Sequence, residues 1–238
     1  MIPYLTIPFS FTPESLEWVK VEAMKIFEKY QQEAVNDGGQ VSLTLAQKQT
    51  WYTSKAWDEI CEQMSPFNFE KPYDLQFFVY KKGHDRTDVR GNPHFDTFEF
   101  QGSSTEFRPI PYRFNILVNG VDEQEMVWWD IKHTDPRIEP IGFTSHFDPS
   151  NTMYRLQAKG DTIPARWETV GEPNWRNKTL TKYNQWASFV RTEICHGINW
   201  TRGSNPRFLV SVRFKDSWDK IEAMRNAYPE SQVKKIGL

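Results

Sequence analysis

Three residues of types that bind metal ions stand out in this sequence. His94 and Asp96 are two positions apart, and His196 ends the segment FVRTEICH. In an extended strand, residues two apart project from the same face, roughly 6.5–7 Å apart along it, so an imidazole and a carboxylate would lie side by side. A histidine from another strand would complete a 2-His-1-carboxylate facial triad. Such a triad leaves three positions open on an iron(II) ion for a co-substrate and O₂.

A second His-x-Asp pair competes with the first. His146 and Asp148 have the same spacing, and His146 precedes His196 by 50 residues, whereas His94 precedes it by 102. We favour His94 and Asp96 because they follow one predicted strand and precede another. The sequence after Asp148 does not read as an inward-facing strand. The competing pair remains an alternative.

An arginine follows His196 at a spacing that suggests a bound carboxylate. Arg207 lies eleven residues after His196, at the start of a predicted strand that also contains Ser211. Guanidinium is the preferred two-pronged partner of a buried carboxylate. A 2-oxoacid that chelates iron through its keto and C1 carboxylate oxygens still has a distal carboxylate to anchor. Arg207 is our candidate for that anchor, with Ser211 as a helper.

The elements that must position these residues change in character along the chain. Apolar spacings near 3 and 4 predict helices from residue 12 to about 37, from 46 to 64 and from 217 to 227. Between the second and third helices, β-branched and aromatic runs predict short antiparallel strands. These strands cover residues 75–80, 94–100, 112–119, 126–130, 189–196 and 207–214. Short antiparallel strands separated by turns predict a jelly roll.

Two of the predicted strands have one apolar face and one mixed face. In strand 112–119 the mixed face holds Arg113 and Asn115, and in strand 207–214 it holds Ser211 and Arg213. A solvated outer face would explain this pattern. The alternative is an interior that contains a site, with the apolar face covered by the N-terminal helices. The helices need a surface to pack on, which favours the alternative.

Composition limits the class of protein. The chain has 238 residues, 15% of them aromatic, which is typical of a folded domain with a sizeable core. Its net charge of -2 and lack of a basic block argue against a nucleic-acid binder. Two cysteines make no disulfide framework, and neither a signal peptide nor a membrane span is recognisable. We therefore expect a cytoplasmic protein that does not bind membranes.

We expect one domain over residues 1–238, of the α+β class but mainly β. Residues 1–70 would form a helical N-terminal support that packs on one sheet. Residues 71–216 would form a double-stranded β-helix core, which is a cupin-like jelly roll, with an irregular insertion at about 132–185. Residues 217–238 would carry a C-terminal helix.

The order of these motifs resembles that of the 2-oxoglutarate/Fe(II) oxygenases. The segments PHFD, YRFNILVNG, RTEICHGIN and NPRFLVSVRF look most like the prolyl-hydroxylase and aspartyl/asparaginyl-hydroxylase-like branch, including bacterial and phage members. The resemblance covers roughly residues 75–214. It implies a double-stranded β-helix, iron(II) bound by His94, Asp96 and His196, and Arg207 at the C5 carboxylate of 2-oxoglutarate. It also implies hydroxylation of a second substrate coupled to decarboxylation of 2-oxoglutarate to succinate.

Further contacts are less well defined by the resemblance. By strand position, Arg113 and Asn115 would approach the C1 carboxylate or the substrate, and Trp128 and Arg213 are candidate substrate contacts. The substrate would be an amino acid, a peptide side chain or a small metabolite. Two other functions stay open: a cupin-like metal protein, either an isomerase or a dioxygenase without 2-oxoglutarate, and a non-enzymatic jelly-roll interaction protein.

Overall fold

The computed structural model describes residues 4–30, 40–41, 45–70, 72, 74–80, 94–96, 110–119, 124–129, 131–144, 152–158, 186–200 and 207–224. The helices among them are α1 (Pro13–Tyr30), α2 (Leu45–Tyr52), α3 (Lys55–Met64) and α4 (Trp218–Met224). The strands are β1 (Tyr4–Pro8), β2 (Gln40–Val41), β3 (Asp74–Tyr80), β4 (His94–Phe95), β5 (Tyr112–Asn119), β6 (Gln124–Trp128), β7 (Ile138–Thr144), β8 (Thr152–Ala158), β9 (Trp186–Arg191), β10 (His196–Trp200) and β11 (Arg207–Arg213). This combination of helices with antiparallel strands is the expected one.

Six strands form the first sheet, in the order β1-β9-β5-β11-β3-β2. One face of this sheet is apolar because alternate residues of β5 and β11, such as Phe114, Ile116, Val210 and Val212, point to the same side. These side chains belong to one buried cluster with residues of α1, α3 and α4. The prediction that helices cover the apolar face is confirmed for this sheet.

The other face of the first sheet is polar and buried. Its residues include Arg113 and Asn115 of β5, which are 6% and 5% exposed, and Ser211 of β11, which is fully buried. The mixed faces of these two strands are therefore interior, and the alternative of a solvated outer face is wrong. Buried polar groups are costly unless they are paired, so this face requires partners.

Five strands form the second sheet, in the order β6-β10-β4-β8-β7. Along the chain, β5 lies in the first sheet and β6 to β8 in the second. The chain then returns to the first sheet in β9, crosses to the second in β10 and ends in the first with β11. Tyr4 of β1 stacks on Trp128 of β6 with ring centroids 5.7 Å apart, which joins the two sheets at one edge.

Three predicted elements differ from the structure. The helix predicted over 46–64 is divided, because the Ser54 side chain accepts a hydrogen bond from the Trp57 N–H and starts α3 anew. The strand predicted over 189–196 is also divided, because the chain leaves one sheet after β9 and enters the other at His196. Within the segment predicted as an irregular insertion, β7 and β8 form an antiparallel pair at the edge of the second sheet.

The N-terminal segment, expected to be helical, also contributes strands to the first sheet. β1 pairs with β9 from Tyr4↔Val190 to Pro8↔Trp186, and β2 pairs with β3. The division of the chain into support, core and C-terminal helix stays a prediction, and residues 225–238 lie outside the described residues. Among the described helices, none combines the length and the hydropathy needed to span a membrane.

Candidate metal centre

Two histidines meet across a pair of neighbouring strands. β4 and β10 pair antiparallel with His94 directly opposite His196. Direct cross-strand neighbours face the same side of a sheet, and the two imidazole centroids are 4.5 Å apart. A separation of 102 residues in sequence thus becomes a direct contact.

Asp96 brings a carboxylate to the two imidazoles. Its Oδ1 atom lies 3.7 Å from Nε2 of His94 and 3.9 Å from Nε2 of His196. One ligand atom from each of the three residues can be chosen so that all lie within 4.8 Å of one another. Ligand atoms about 2.1 Å from one ion and at right angles to each other lie about 3 Å apart. The three residues therefore form a potential His-Asp-His metal site whose ligand atoms would move closer together around a bound ion, and their types fit a facial triad.

The main chain of Asp96 is held at both of its hydrogen-bonding groups. Its N–H donates to the Thr192 carbonyl at 3.1 Å, and its carbonyl accepts from the Ile110 N–H at 2.9 Å. Thr192 in turn donates its hydroxyl to the Ile110 carbonyl at 2.8 Å and its N–H to the Pro111 carbonyl at 3.0 Å. The crossing between β9 and β10 and the start of β5 therefore fix the backbone of this residue.

The tautomer of His196 is fixed by a main-chain carbonyl. Nδ1 lies 2.8 Å from the Ile194 carbonyl oxygen, which can only accept, so Nδ1 carries the hydrogen. The Nε2 lone pair then faces Asp96, which is the arrangement needed to bind a metal ion. Burial lowers the pKa of His196, and Asp96 opposes this shift. The neutral, metal-binding form of the imidazole is therefore favoured.

Arg113 sets the charge around Asp96. Burial alone would raise the pKa of the Asp96 carboxyl, but the Arg113 guanidinium, with smaller contributions from His196 and His94, outweighs burial and holds that pKa well below its usual range. The Arg113 guanidinium donates from Nε to Oδ2 of Asp96 and from Nη1 to Oε1 of Gln76. The carboxylate is therefore ionised and available as a ligand at neutral pH.

A row of polar residues crosses the interior face of the first sheet. Ser188, Asn115, Ser211 and Gln76 are successive cross-strand neighbours on β9, β5, β11 and β3. Among the described residues, neither Oδ1 of Asn115 nor Oγ of Ser211 has a hydrogen-bond partner. A buried polar atom without a partner costs about 1–3 kcal/mol. A polar molecule bound along this row could therefore supply the hydrogen bonds that these two buried atoms lack.

The remaining predicted site residues have different surroundings. Arg213 donates from Nη2 to Oε1 of Gln76 at 3.0 Å, so it lies in the interior network with Arg113. Trp128 is fully buried, and its indole N–H donates to the Arg191 carbonyl at 2.8 Å, as a core residue would. Its contact with substrate stays a prediction, as does that of Arg213.

Three predicted site residues lie partly or wholly outside the part of the chain that the structure describes. Arg207 is the first residue of β11 and pairs with Tyr80, but its side chain is outside the described residues. His146 and Asp148, the competing pair, fall between β7 and β8 and are also outside them. The choice between the two His-x-Asp pairs therefore rests on the convergence of His94, Asp96 and His196.

Sequence reasoning overlooked Gln76 and Thr192. Gln76 accepts from both interior arginines, and Thr192 holds the main chain of Asp96. The signal for Gln76 was present, because it is a polar residue in the otherwise apolar run LQFFV and so belongs to the polar face. The role of Thr192 has no sequence signal, because it arises where the chain crosses between sheets.

Comparisons with known proteins gave structural likeness alone. No family model matches the chain, and no curated protein matches it. Among solved structures, AviO1 from Streptomyces viridochromogenes Tue57 is 6% identical, with a TM-score of 0.43 and coverage of 90% of each chain. The non-heme alpha ketoglutarate dependent epimerase SnoN from nogalamycin biosynthesis is 11% identical, with a TM-score of 0.43 and coverage of 90% of this chain and 79% of its own. HygX from Streptomyces hygroscopicus, solved with nickel and 2-oxoglutarate bound, is 10% identical, with a TM-score of 0.42 and coverage of 90% and 82%. Such values assign neither a family nor an activity, so function is inferred from the site itself.

Proposed function

We propose that this protein is an iron(II)- and 2-oxoglutarate-dependent oxygenase that hydroxylates an amino acid, a peptide side chain or a small metabolite. The observation that carries the proposal is the convergence of His94, Asp96 and His196 on one point in the interior. Two neutral nitrogens and one carboxylate oxygen are a ligand set suited to iron(II), and they leave three positions open. A closed structural site would need a fourth protein ligand, and the described residues offer none.

Iron(II), when bound with 2-oxoglutarate, supplies the activation of O₂ that oxidative decarboxylation and C–H hydroxylation require. The chain's own part is to bind, orient and exclude water. His196, with its tautomer fixed by the Ile194 carbonyl, presents Nε2, and Asp96 presents an ionised carboxylate. His94 is the most exposed of the three ligands, with 25% of its side chain accessible, which marks the side from which small molecules would enter.

The row of polar residues on the first sheet, which includes Asn115 and Ser211, is evidence for a co-substrate with several oxygen atoms. Ser211 offers a buried hydroxyl donor, and the Asn115 amide offers a donor when its oxygen and nitrogen are exchanged by a half-turn. Arg213 adds positive charge to the same interior face, which favours a dianion. Arg207 stays the proposed anchor of the distal carboxylate, because it follows His196 by eleven residues and begins the strand that contains Ser211.

We further propose that the two sheets form the double-stranded β-helix expected from the sequence. The repeated passage of the chain from one sheet to the other between β5 and β11 supports this arrangement. So does the contact of Arg113, on the polar face of the first sheet, with Asp96, which follows a strand of the second. The site would then lie between the sheets, with the helices on the outer face of the first.

Anaerobic titration with iron(II) and then 2-oxoglutarate tests the proposal. Chelation of iron(II) by a 2-oxoacid gives a weak visible charge-transfer band, which we expect in the wild-type protein. We expect His94→Ala to lose the band and His146→Ala to retain it, since His94 contacts His196 directly. Arg207→Ala should require at least tenfold more 2-oxoglutarate to develop the band, because a two-pronged charged hydrogen bond is lost.

The outcomes separate the alternatives. A band lost in His146→Ala and kept in His94→Ala would overturn the ligand assignment. Iron binding without a 2-oxoglutarate band would favour a cupin-like metal protein that does not use this co-substrate. A wild-type protein that binds no divalent metal would leave only the interaction protein. Release of CO₂ from 2-oxoglutarate by the wild-type protein then provides the direct assay of activity.

A further inference from the structure

The two oxygens of the Asp96 carboxylate have different partners. Oδ1 faces the imidazoles, 3.7 Å from Nε2 of His94 and 3.9 Å from Nε2 of His196. Oδ2 points away from them and accepts a hydrogen bond from Nε of Arg113. The side chain of Asp96 is 12% accessible and that of Arg113 is 8% accessible, so water screens this ion pair little.

Arg113 is itself held from the far side. Its Nη1 donates to Oε1 of Gln76, and Nη2 of Arg213 donates to the same oxygen at 3.0 Å. Only the oxygen of an amide can accept from two guanidinium groups, so these contacts fix which way the Gln76 amide is turned. The three residues come from β5, β3 and β11, which are adjacent in the first sheet. The contact with Gln76 on the neighbouring part of the sheet therefore fixes the orientation of the Arg113 guanidinium that bonds to Asp96.

We infer that Arg113 is a positioning residue that holds Asp96 as a ligand through Oδ1 alone. This inference rests on the proposed metal site. A carboxylate that is free to turn can bind an ion through both oxygens and so fill a second position on it. Occupation of Oδ2 by Arg113 prevents this and keeps three positions open for the co-substrate and O₂.

This role differs from the one expected from the sequence, in which Arg113 binds the co-substrate. The structure directs two of its nitrogens to Asp96 and Gln76. The two roles predict different measurements. Removal of a positioning residue weakens metal binding even when no 2-oxoglutarate is present, whereas removal of a co-substrate ligand raises only the KM for 2-oxoglutarate.

The backbone of Asp96 makes a variant at Arg113 interpretable. The N–H and carbonyl of Asp96 bond to Thr192 and Ile110, independently of Arg113. Arg113→Met keeps the length of the side chain and removes every donor. Arg113→Lys keeps the charge and one donor group but has no planar fork with which to contact Asp96 and Gln76 together. The first variant should free the carboxylate, and the second should restore part of the function.

The test is a calorimetric titration of the full chain with cobalt(II) alone, which measures the Kd for this metal. We expect Arg113→Met to raise the Kd for cobalt(II) about 10–100-fold, as loss of a partner of a metal ligand does, and Arg113→Lys to recover part of that loss. In the assay of CO₂ release at saturating iron(II), the KM of Arg113→Met for 2-oxoglutarate should differ less than threefold from that of the wild type. The matched control is Arg137→Met, which also removes an arginine paired with an aspartate, but with Asp135, which is not one of the proposed ligands. It should bind cobalt(II) like the wild type.

The variant Asp96→Ala and the wild-type protein separate failure of this inference from failure of the proposed function. If Asp96→Ala loses cobalt(II) while Arg113→Met binds it like the wild type, the positioning role is overturned and the metal site stands. If the wild-type protein binds no cobalt(II), both are overturned. Should Arg113→Met fail to fold, Arg113→Lys and Gln76→Leu decide the matter. Wild-type affinity in both of these overturns the positioning role, and weakened affinity in both supports it.

Discussion

At the scale of single residues, Cys195 and His196 are neighbours in sequence with opposite environments. Cys195 is fully buried in a small apolar cluster with Phe95, Trp129 and Ile138. His196 faces the other side of the sheet, opposite His94. Alternation along the strand produces this separation, and it confirms the expectation that Cys195 is a core thiol rather than a metal ligand.

The environment of Cys195 predicts its reactivity. Burial, with a smaller contribution from the charge of Asp135, raises the pKa of this thiol to about 12. Because the thiolate is the reactive form, Cys195 should stay protonated and unreactive at pH 8. Cys61, which is partly exposed, should react. A disulfide reagent should therefore titrate one thiol in the native protein and two in denaturant, and Cys61→Ser should reduce the native count to none. Rapid reaction of two native thiols would contradict this prediction.

The sequence predicted the residues with distinctive chemistry better than those that support them. His94, Asp96 and His196 were identifiable because few residue types bind metals, and the structure brings them together. The partners that hold them were not predictable in the same way. The carbonyl of Ile194 fixes the His196 tautomer, and any residue could supply a carbonyl. Such contacts depend on where the backbone turns, which a residue pattern does not specify.

At the scale of elements, the start of α1 is tied to α3 by one carboxylate. Glu59 accepts hydrogen bonds from the N–H and hydroxyl of Thr12, at 3.0 and 2.7 Å, and from the hydroxyl of Ser15 at 2.7 Å. The first turn of a helix has unsatisfied N–H groups and a partial positive charge, both of which favour an anion there. Glu59 thus fixes how α1 and α3 meet beneath the first sheet.

Replacement of Glu59 should therefore loosen the helical layer in a pH-dependent way. Burial acts to raise the pKa of Glu59, but hydrogen bonds from Ser15 and Thr12 outweigh it and lower that pKa. A lowered pKa in the folded state gives stability that is present above the unfolded value, about 4.3, and is lost as pH falls through the folded value. We expect Glu59→Ala to reduce the free energy of unfolding by about 1 kcal/mol at pH 7 and by less at pH 3.

Urea unfolding at the two pH values measures this difference. Glu62→Ala, on the same helix at an exposed position, is the matched control and should change stability by less than about 0.5 kcal/mol. An effect of Glu59→Ala that is equal at both pH values would show that its carboxylate charge does not contribute. The hydrogen bonds to Thr12 and Ser15 would then act only as neutral contacts.

Element types were predictable, but the points where elements break were not. Apolar spacing identified the helical stretch 46–64, yet Ser54 interrupts it by capping α3. Alternation identified the strand character of 189–196, yet the chain changes sheets within it, and β9 and β10 belong to different layers. The break at Ser54 comes from local hydrogen bonds that compete with a continuous helix, whereas the break after β9 depends on strand partners far away in sequence. Local patterns contain no information on such partners.

At the scale of the whole molecule, the proposed metal site joins the two sheets. His94 and His196 belong to the second sheet, and Asp96 follows β4 in that sheet. Through Arg113 and Gln76, the carboxylate is tied to the polar face of the first sheet. An ion bound at this site would therefore stabilise the packing of one sheet against the other, because the three ligands converge only in the folded state.

Metal binding should consequently raise the unfolding temperature of the entire domain. A ligand at 100 times its Kd that binds only the folded state adds about 2.7 kcal/mol. Each kcal/mol shifts the unfolding temperature by about 2–4 °C in a domain of this size, so cobalt(II) should raise it by about 5–10 °C. Calorimetry with and without excess chelator measures the shift. Asp96→Ala should abolish the shift because one ligand and the tie to Arg113 are both lost, whereas Arg137→Met should retain it. A shift that survives Asp96→Ala would mean that the stabilising ion binds elsewhere, and the two sheets would then be joined by packing alone.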